Sequence, residues 1–211
     1  MPATSDAPHA HDGRRRPTIP ATRILRRVER RASILAGAAS AFSHSGFAAT
    51  SMESIAESSG VSKLILYRHF DSKEALYRSV VERVALRLAE SFAEIAGRGE
   101  QSEVPARAFL AVAREDPEGF RLLWRHSARE PQFAEYVERF RALAVSFARA
   151  LLAPRVRDAS LHEWAAQTIV DVLVDSVLNW LDHGDEARDD EFVDRSTRSL
   201  QALVLAWDQQ V

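Results

Sequence analysis

The chain has no cysteine among its 211 residues, which excludes a disulfide framework, a thiolate nucleophile and any cysteine-ligated metal. Glycine is scarce: the eight, at 13, 37, 46, 60, 97, 99, 119 and 184, include no pair four or five apart. That excludes the G-x-S-x-G nucleophile elbow and the phosphate-cradling P-loop, and no G-x-G-x-x-G occurs. The one Asp/Glu-x-x-His pairing is Asp6 with His9 near the start of the chain, so the ligand set of a carboxylate-bridged di-iron bundle is missing. No run reaches the roughly 18 apolar residues that a membrane helix needs. The opening MPATSDAPHAHDGRRRPTIP has no apolar stretch behind its charges, so neither a leader nor an anchor is expected. Sustained strand alternation with hairpin dipeptides is lacking too. These absences leave an all-α protein, not an enzyme, without cofactor or membrane partner and expected in the cytoplasm.

What is present is unevenly placed. The formal net charge is −2, from 28 Lys and Arg against 30 Asp and Glu. Residues 1–80 hold 12 basic against 7 acidic side chains, leaving 16 against 23 in residues 81–211. A basic head on an acidic body suits a polyanion partner, because each phosphate met by Lys or Arg releases condensed counterions. An arginine-rich solvated helix is the alternative from charge alone.

Residues 1–20 carry Pro2, Pro8, Gly13, Pro17 and Pro20 with little to pack, and are expected to form a disordered basic tail. Arg14 to Arg16 can either trail into a minor groove or stay solvated. From about Thr22 to His44, Leu25, Val28, Ala32, Leu35, Ala39 and Phe42 recur at helical spacing, opposite Arg23, Arg26, Arg27, Arg30 and Arg31. Thr50 or Ser51 then caps a short helix ended by Gly60, Ser62 caps the next, and Asp71 or Ser72 caps a long helix running to about Ala96. Further helical patterns follow over about 104–115, from Pro117, from Pro131, over 161–182 and over 191–209. The expected layout is a helix-turn-helix domain over residues 21–72 and a body over 73–211, about nine helices in all, with helix 73–96 joining the two.

Helix, glycine turn and helix, with a third helix behind, is the arrangement whose second helix enters the DNA major groove. Lys63 and Tyr67 stand four apart on one face while Leu66 and Phe70 take the other. The stretch TSMESIAESSGVSKLILYRHFDSKEALYRSVVERV, Thr50 to Val84, resembles the DNA-binding signature of the TetR family of bacterial transcription repressors. That signature is close to T-x-x-x-I-A-x-x-A-G-V-S-x-G-T-L-Y-x-Y/H-F-x-S-K-E-x-L. The resemblance implies that Thr50 and Ser51 hold a phosphate at a helix start and that Ser62, Lys63, Leu64, Ile65 and Tyr67 line the recognition helix. It also implies that His69 lies beside the DNA backbone and that Lys73 clamps a phosphate. The sequence departs from the pattern at Leu64 and Ile65, where Gly and a small residue are usual. Such side chains can touch thymine methyls, with Ile65 the expected reader; alternatively one of them, Leu64 first, folds back onto the first helix.

The body is rich in aromatics. Phe109, Phe120, Trp124, Phe133, Tyr136, Phe140 and Trp164, with Gln167, Asp171 and Asp175 on a polar stripe, are candidates to line a small-molecule site for an apolar or amphiphilic inducer. Most such aromatics are ordinarily core, and the stripe reads equally as a solvated seam. Helix 161–182 is apolar over more than half its circumference, so burial on more than one side is expected. With helix 191–209 it resembles the family's two-helix dimer interface, implying a homodimer on an inverted-repeat operator. His126 near Asp171 or Asp175 is a conceivable metal or polar-ligand corner, although a lone histidine at a helix end is more often capping or solvated. A helical protein that docks another protein is the remaining alternative, and salt-sensitive retention on heparin separates it from a DNA binder.

Overall fold

The structure, a computed structural model, describes residues 21–96, 103–126 and 130–208; the basic tail and its arginine triplet lie outside them. Nine α-helices and no strand are found among the described residues: α1 (Ala21–Ala49), α2 (Met52–Ser58), α3 (Lys63–His69), α4 (Lys73–Ala96), α5 (Val104–Glu115), α6 (Pro117–Arg121), α7 (Ala134–Leu152), α8 (His162–His183) and α9 (Asp189–Asp208). A π-helical turn, Leu122–His126, continues α6, and a 3-10 turn, Pro131–Phe133, leads into α7. No helix among the described residues is long and apolar enough to cross a membrane.

The head packs α1, α2 and α3 against the start of α4. Ile34, Leu35, Ala38, Ala39 and Phe42 of α1 meet Met52, Ile55, Leu66 and Phe70 in its core. Leu35, Ala39 and Phe42 follow the expected periodicity, but Val28, expected to face inward, is 60% exposed and Ala32 is exposed. The reason is that residues 26–33 of α1 are all exposed, and no helix among the described residues buries the apolar stripe there. Gly46 breaks α1 with φ +76° and ψ +166°, values that an L side chain rarely adopts, and this turns Phe47 into the core.

Head and body meet at an aromatic seam. Phe133 stacks on Tyr77 of α4 at 4.1 Å and meets Phe47 edge-on at 4.9 Å. Beside it Phe47 N–H donates to a carboxylate oxygen of Glu130 at 2.7 Å. Phe133 therefore sits in this seam between head and body. Burial pushes the Tyr77 phenol well above its ordinary pKa, with the negative Glu130 as a second cause.

In the body α5 is central, with Val104, Ala106, Ala108, Phe109, Leu110, Val112 and Ala113 all buried. Large apolar side chains of this kind stabilise by about 1.5–3 kcal/mol each. Ion pairs fasten the layers. Arg114 of α5 reaches Asp189 of α9 through two bonds of 2.8 and 2.9 Å, and Trp180 Nε1–H donates to the same carboxylate at 2.7 Å. Arg87 of α4 forks onto Glu115 at 2.7 and 2.9 Å, and Arg121 and Arg125 converge on Asp182 at 2.9 and 2.8 Å.

Candidate nucleic-acid interface

The helix-turn-helix is built by side-chain caps. Ser51 Oγ accepts Ser54 N–H at 3.0 Å while Ser51 N–H donates to Ser54 Oγ at 3.1 Å, a reciprocal cap that starts α2. Gly60, at φ +65°, supplies the left-handed step after α2, and Ser62 Oγ accepts Ile65 N–H at 3.3 Å to start α3. Of the two candidates to cap α4, Ser72 does so, accepting Ala75 N–H at 3.1 Å. Each helix of seven residues is thus begun by a serine, which matters because so few turns cannot sustain a helix alone.

This frame presents one face of α3. Leu66 is fully buried beneath it; Tyr67 is 44% and Leu64 63% exposed, and Lys63 and Ser62 are exposed beside them. The order expected for the two aliphatics is reversed: Leu64 stands out and Ile65 is half-buried. Their spacing explains the result, because Ile65 lies one residue before the buried Leu66 and shares part of its inward turn. Lys63 Nζ pairs with the Glu53 carboxylate of α2 and lies 5.9 Å from the Tyr67 ring centroid. The contact lowers the Glu53 pKa and raises that of Lys63, the hydrogen bond between them being the largest cause in each case. His69 is half-buried. Desolvation first, and then the charges of Arg27, Arg30 and Arg31, hold its pKa below the ordinary histidine value. Those arginines and Arg26 are exposed along α1, and no carboxylate among the described residues comes within ion-pair distance of any of them.

Two of the residues expected to contact DNA have partners within the chain. The Thr50 side chain is only 3% exposed, its hydroxyl lying 2.7 Å from the Gly46 carbonyl and 3.2 Å from that of Ala41. Lys73 Nζ donates to the carbonyls of Phe47 and Thr50, both at 2.8 Å, and lies 4.3 Å from the Phe47 ring centroid. Both side chains are committed to the α1–α2 turn. They shape the start of α2, where Ser51 and Ser54 are the exposed hydroxyls.

The ten residues expected to line a ligand site fall into separate groups. Phe109, Phe120 and Trp124 form a cluster with centroids 5.7–6.3 Å apart, and Phe92 joins it at 5.8 Å from Phe109. Tyr136 and Phe140 pack on each other at 5.3 Å, with Arg139 over the Tyr136 ring. Trp164 is half exposed and packs on Trp207 of α9 at 5.0 Å. Gln167 donates to Glu163 at 3.2 Å, Asp171 pairs with Arg141 of α7, and Asp175 is exposed. Arg141 thus engages Asp171, and no group of three potential ligand side chains gathers among the described residues. A groove of about 360 Å³ between α8 and α9, lined by Val172, Ser176, Asn179, His183 and Arg195 among others, contains none of the ten. Sequence reasoning also passed over Glu53 and Glu130. Neither is signalled by spacing, since their partners lie 10 and 83 residues away.

Comparison with known proteins agrees with this geometry. Residues 34–80, which span the core half of α1 through the first turns of α4, match the family model described as bacterial regulatory proteins, tetR family. The HTH-type transcriptional activator FasR of Mycolicibacterium smegmatis is 29% identical over 192 residues, covering 87% of this chain and 84% of its own. A TetR-like transcriptional regulator from Rhodococcus sp. RHA1 superposes with a TM-score of 0.69 at 25% identity, over 83% of this chain and 93% of its own. The structure of AibR in complex with isovaleryl coenzyme A and operator DNA shares the fold, with a TM-score of 0.62 at 18% identity over 81% and 97% of the two chains. A serine-capped helix-turn-helix with an exposed α3 face, matching the tetR family model over residues 34–80, thus stands on an all-helical body with the fold of TetR-like transcriptional regulators.

Proposed function

We propose that the chain is a homodimeric one-component regulator with a DNA-binding head, residues 21–72, and a ligand-binding and dimerising body, residues 73–211. It represses transcription from an inverted-repeat operator until a small molecule releases it. The observation that carries the reading is the α3 face: Lys63, Leu64 and Tyr67 stand outward while Leu66 and Phe70 are buried beneath. Ser51, Ser62 and His69 border that face, and the exposed arginines of α1 extend it. Leu64 is the side chain that meets a thymine methyl, while arginine and serine contacts to phosphate fix the register.

Dimerisation through α8 and α9 is supported by apolar surface on both helices: Trp164, Val172 and Leu205 are exposed. A two-fold pair places the two α3 helices about 34 Å apart, one turn of DNA, or a multiple of it. The ligand reading rests on the cluster of Phe109, Phe120 and Trp124. The indole N–H of Trp124 is buried there without an acceptor among the described residues, on a π-helical turn of a kind common at functional sites. An amphiphilic molecule that offers a hydrogen-bond acceptor to the indole answers that environment, and AibR, which shares the fold, is in complex with isovaleryl coenzyme A. Ligand then acts by binding one head spacing better than the other. FasR, named as an activator, favours a second reading in which bound protein raises transcription.

The test is selection of duplexes from a random library by the purified protein, followed by a promoter-reporter assay with the enriched sequence. An inverted repeat bound by two chains, with reporter output rising when the regulator gene is deleted, is the expected result. A fall in output establishes activation, and no enriched sequence overturns the reading.

A further inference from the structure

The pairing of Glu53 with Lys63 places a carboxylate on a face that meets a polyanion. Both side chains are more than half exposed, at 60% and 55%, and exposed ion pairs hold folds weakly. The fold does not need this one, because α2 and α3 are already set by the Ser51 cap, Gly60 and the Ser62 cap. Lys63 is the first residue of α3, and Arg68, on its last turn, is the other lysine or arginine of that helix. Glu53 thus restrains the one cation at the leading end of α3.

We propose that Glu53 is a specificity-determining residue, holding the Lys63 ammonium on the protein so that it transfers to DNA only where α3 is fully seated. The proposal rests on the reading of α3 as the groove-contacting helix. A free lysine binds any phosphate and adds affinity without information. Held by Glu53, it must exchange one anion for another, and arbitrary DNA offers nothing to offset that exchange. On a matched sequence the contacts of Leu64 and Tyr67 seat the helix, and the exchange follows. Glu53 thereby weakens binding to the wrong partner more than to the right one.

The experiment compares wild type, Glu53→Gln, Lys63→Met and the double variant on two fluorescein-labelled duplexes across a potassium chloride series. One duplex is of random sequence and the other is enriched from a library by wild type. Glu53→Gln should bind the random duplex about three- to tenfold tighter, with a log–log salt slope steeper by about one as a further phosphate is neutralised. On the enriched duplex it should gain clearly less, so discrimination narrows. In the Lys63→Met background the same change should have little effect. Equal tightening with and without Lys63 identifies a merely repulsive carboxylate and overturns the proposal, as do unchanged affinities or equal gains on both duplexes. Failure of wild type to enrich any sequence overturns instead the reading of α3 on which the proposal stands, so the two failures are told apart before any variant is made.

Discussion

Head and body use arginine in opposite ways. In the body and along α4, Arg83, Arg87, Arg107, Arg114, Arg121 and Arg125 each sit on a carboxylate, several of them joining one helix to another. On α1, Arg26, Arg27, Arg30 and Arg31 make no such pair among the described residues. The first pattern fastens helices together; the second leaves charge available to something outside the chain. The lysines divide the same way. Lys73 donates to two backbone carbonyls, whereas Lys63 pairs with an exposed glutamate that a phosphate can replace. Charge count alone does not identify a nucleic-acid surface; the partners of each cation do.

The comparison breaks most severely at the seam. Phe133→Ala removes the ring stacked on Tyr77 and should cost about 3–5 kcal/mol in urea unfolding. Head and body should still unfold in one transition, because Glu130 and α4 continue to tie them; two resolved transitions would mean that the regions are independent. Next, Tyr67→Ala should weaken binding to an enriched duplex by about 1–3 kcal/mol in titration, while leaving stability within about 0.5 kcal/mol. Lys73→Met should do the reverse. It strands two carbonyls at the α1–α2 turn for a loss of about 1–3 kcal/mol in stability, with the salt slope of DNA binding unchanged. A slope reduced by about one would restore the phosphate clamp. Ser51→Ala, which removes the α2 cap, should cost about 1 kcal/mol.

The smallest effect concerns pH. His69 has a folded pKa below its unfolded value, so the unfolded chain binds the proton more readily. Stability from this group is present at pH 7.5 and declines as pH falls through the ordinary histidine value near 6.5. A thermal melt series over that window should show the decline, and His69→Asn should flatten it. A phosphate near Arg27, Arg30 and Arg31 offsets their charge, so DNA binding should take up a fraction of a proton near pH 6.

Helix limits were legible because the chain marks them with local chemistry: Ser51, Ser62 and Ser72 begin helices, Gly46 and Gly60 interrupt them, and Pro117 and Pro131 restart them. The exposed pair Lys63 and Tyr67 and the buried pair Leu66 and Phe70 were legible from spacing alone. What periodicity does not convey is which distant group a side chain meets. Lys73 finds carbonyls 23 and 26 residues away, and Phe133 reaches across to Tyr77 when its composition suggests a body core. Val28 has the right phase but stays exposed, and Leu64 and Ile65 exchange roles over one residue of phase. Phase orients a helix, and only tertiary packing decides which of its faces is covered.

The surplus of basic groups in residues 1–80 and of acidic groups beyond them gives the chain a permanent electric dipole, although its net charge is only −2. Near a duplex such a molecule experiences a torque as well as a pull, and turns its arginine-lined end forward before any atom touches. Chromatography offers a bench-top counterpart: the same preparation should be retained by both anion- and cation-exchange resins at neutral pH, each gripping the opposite pole.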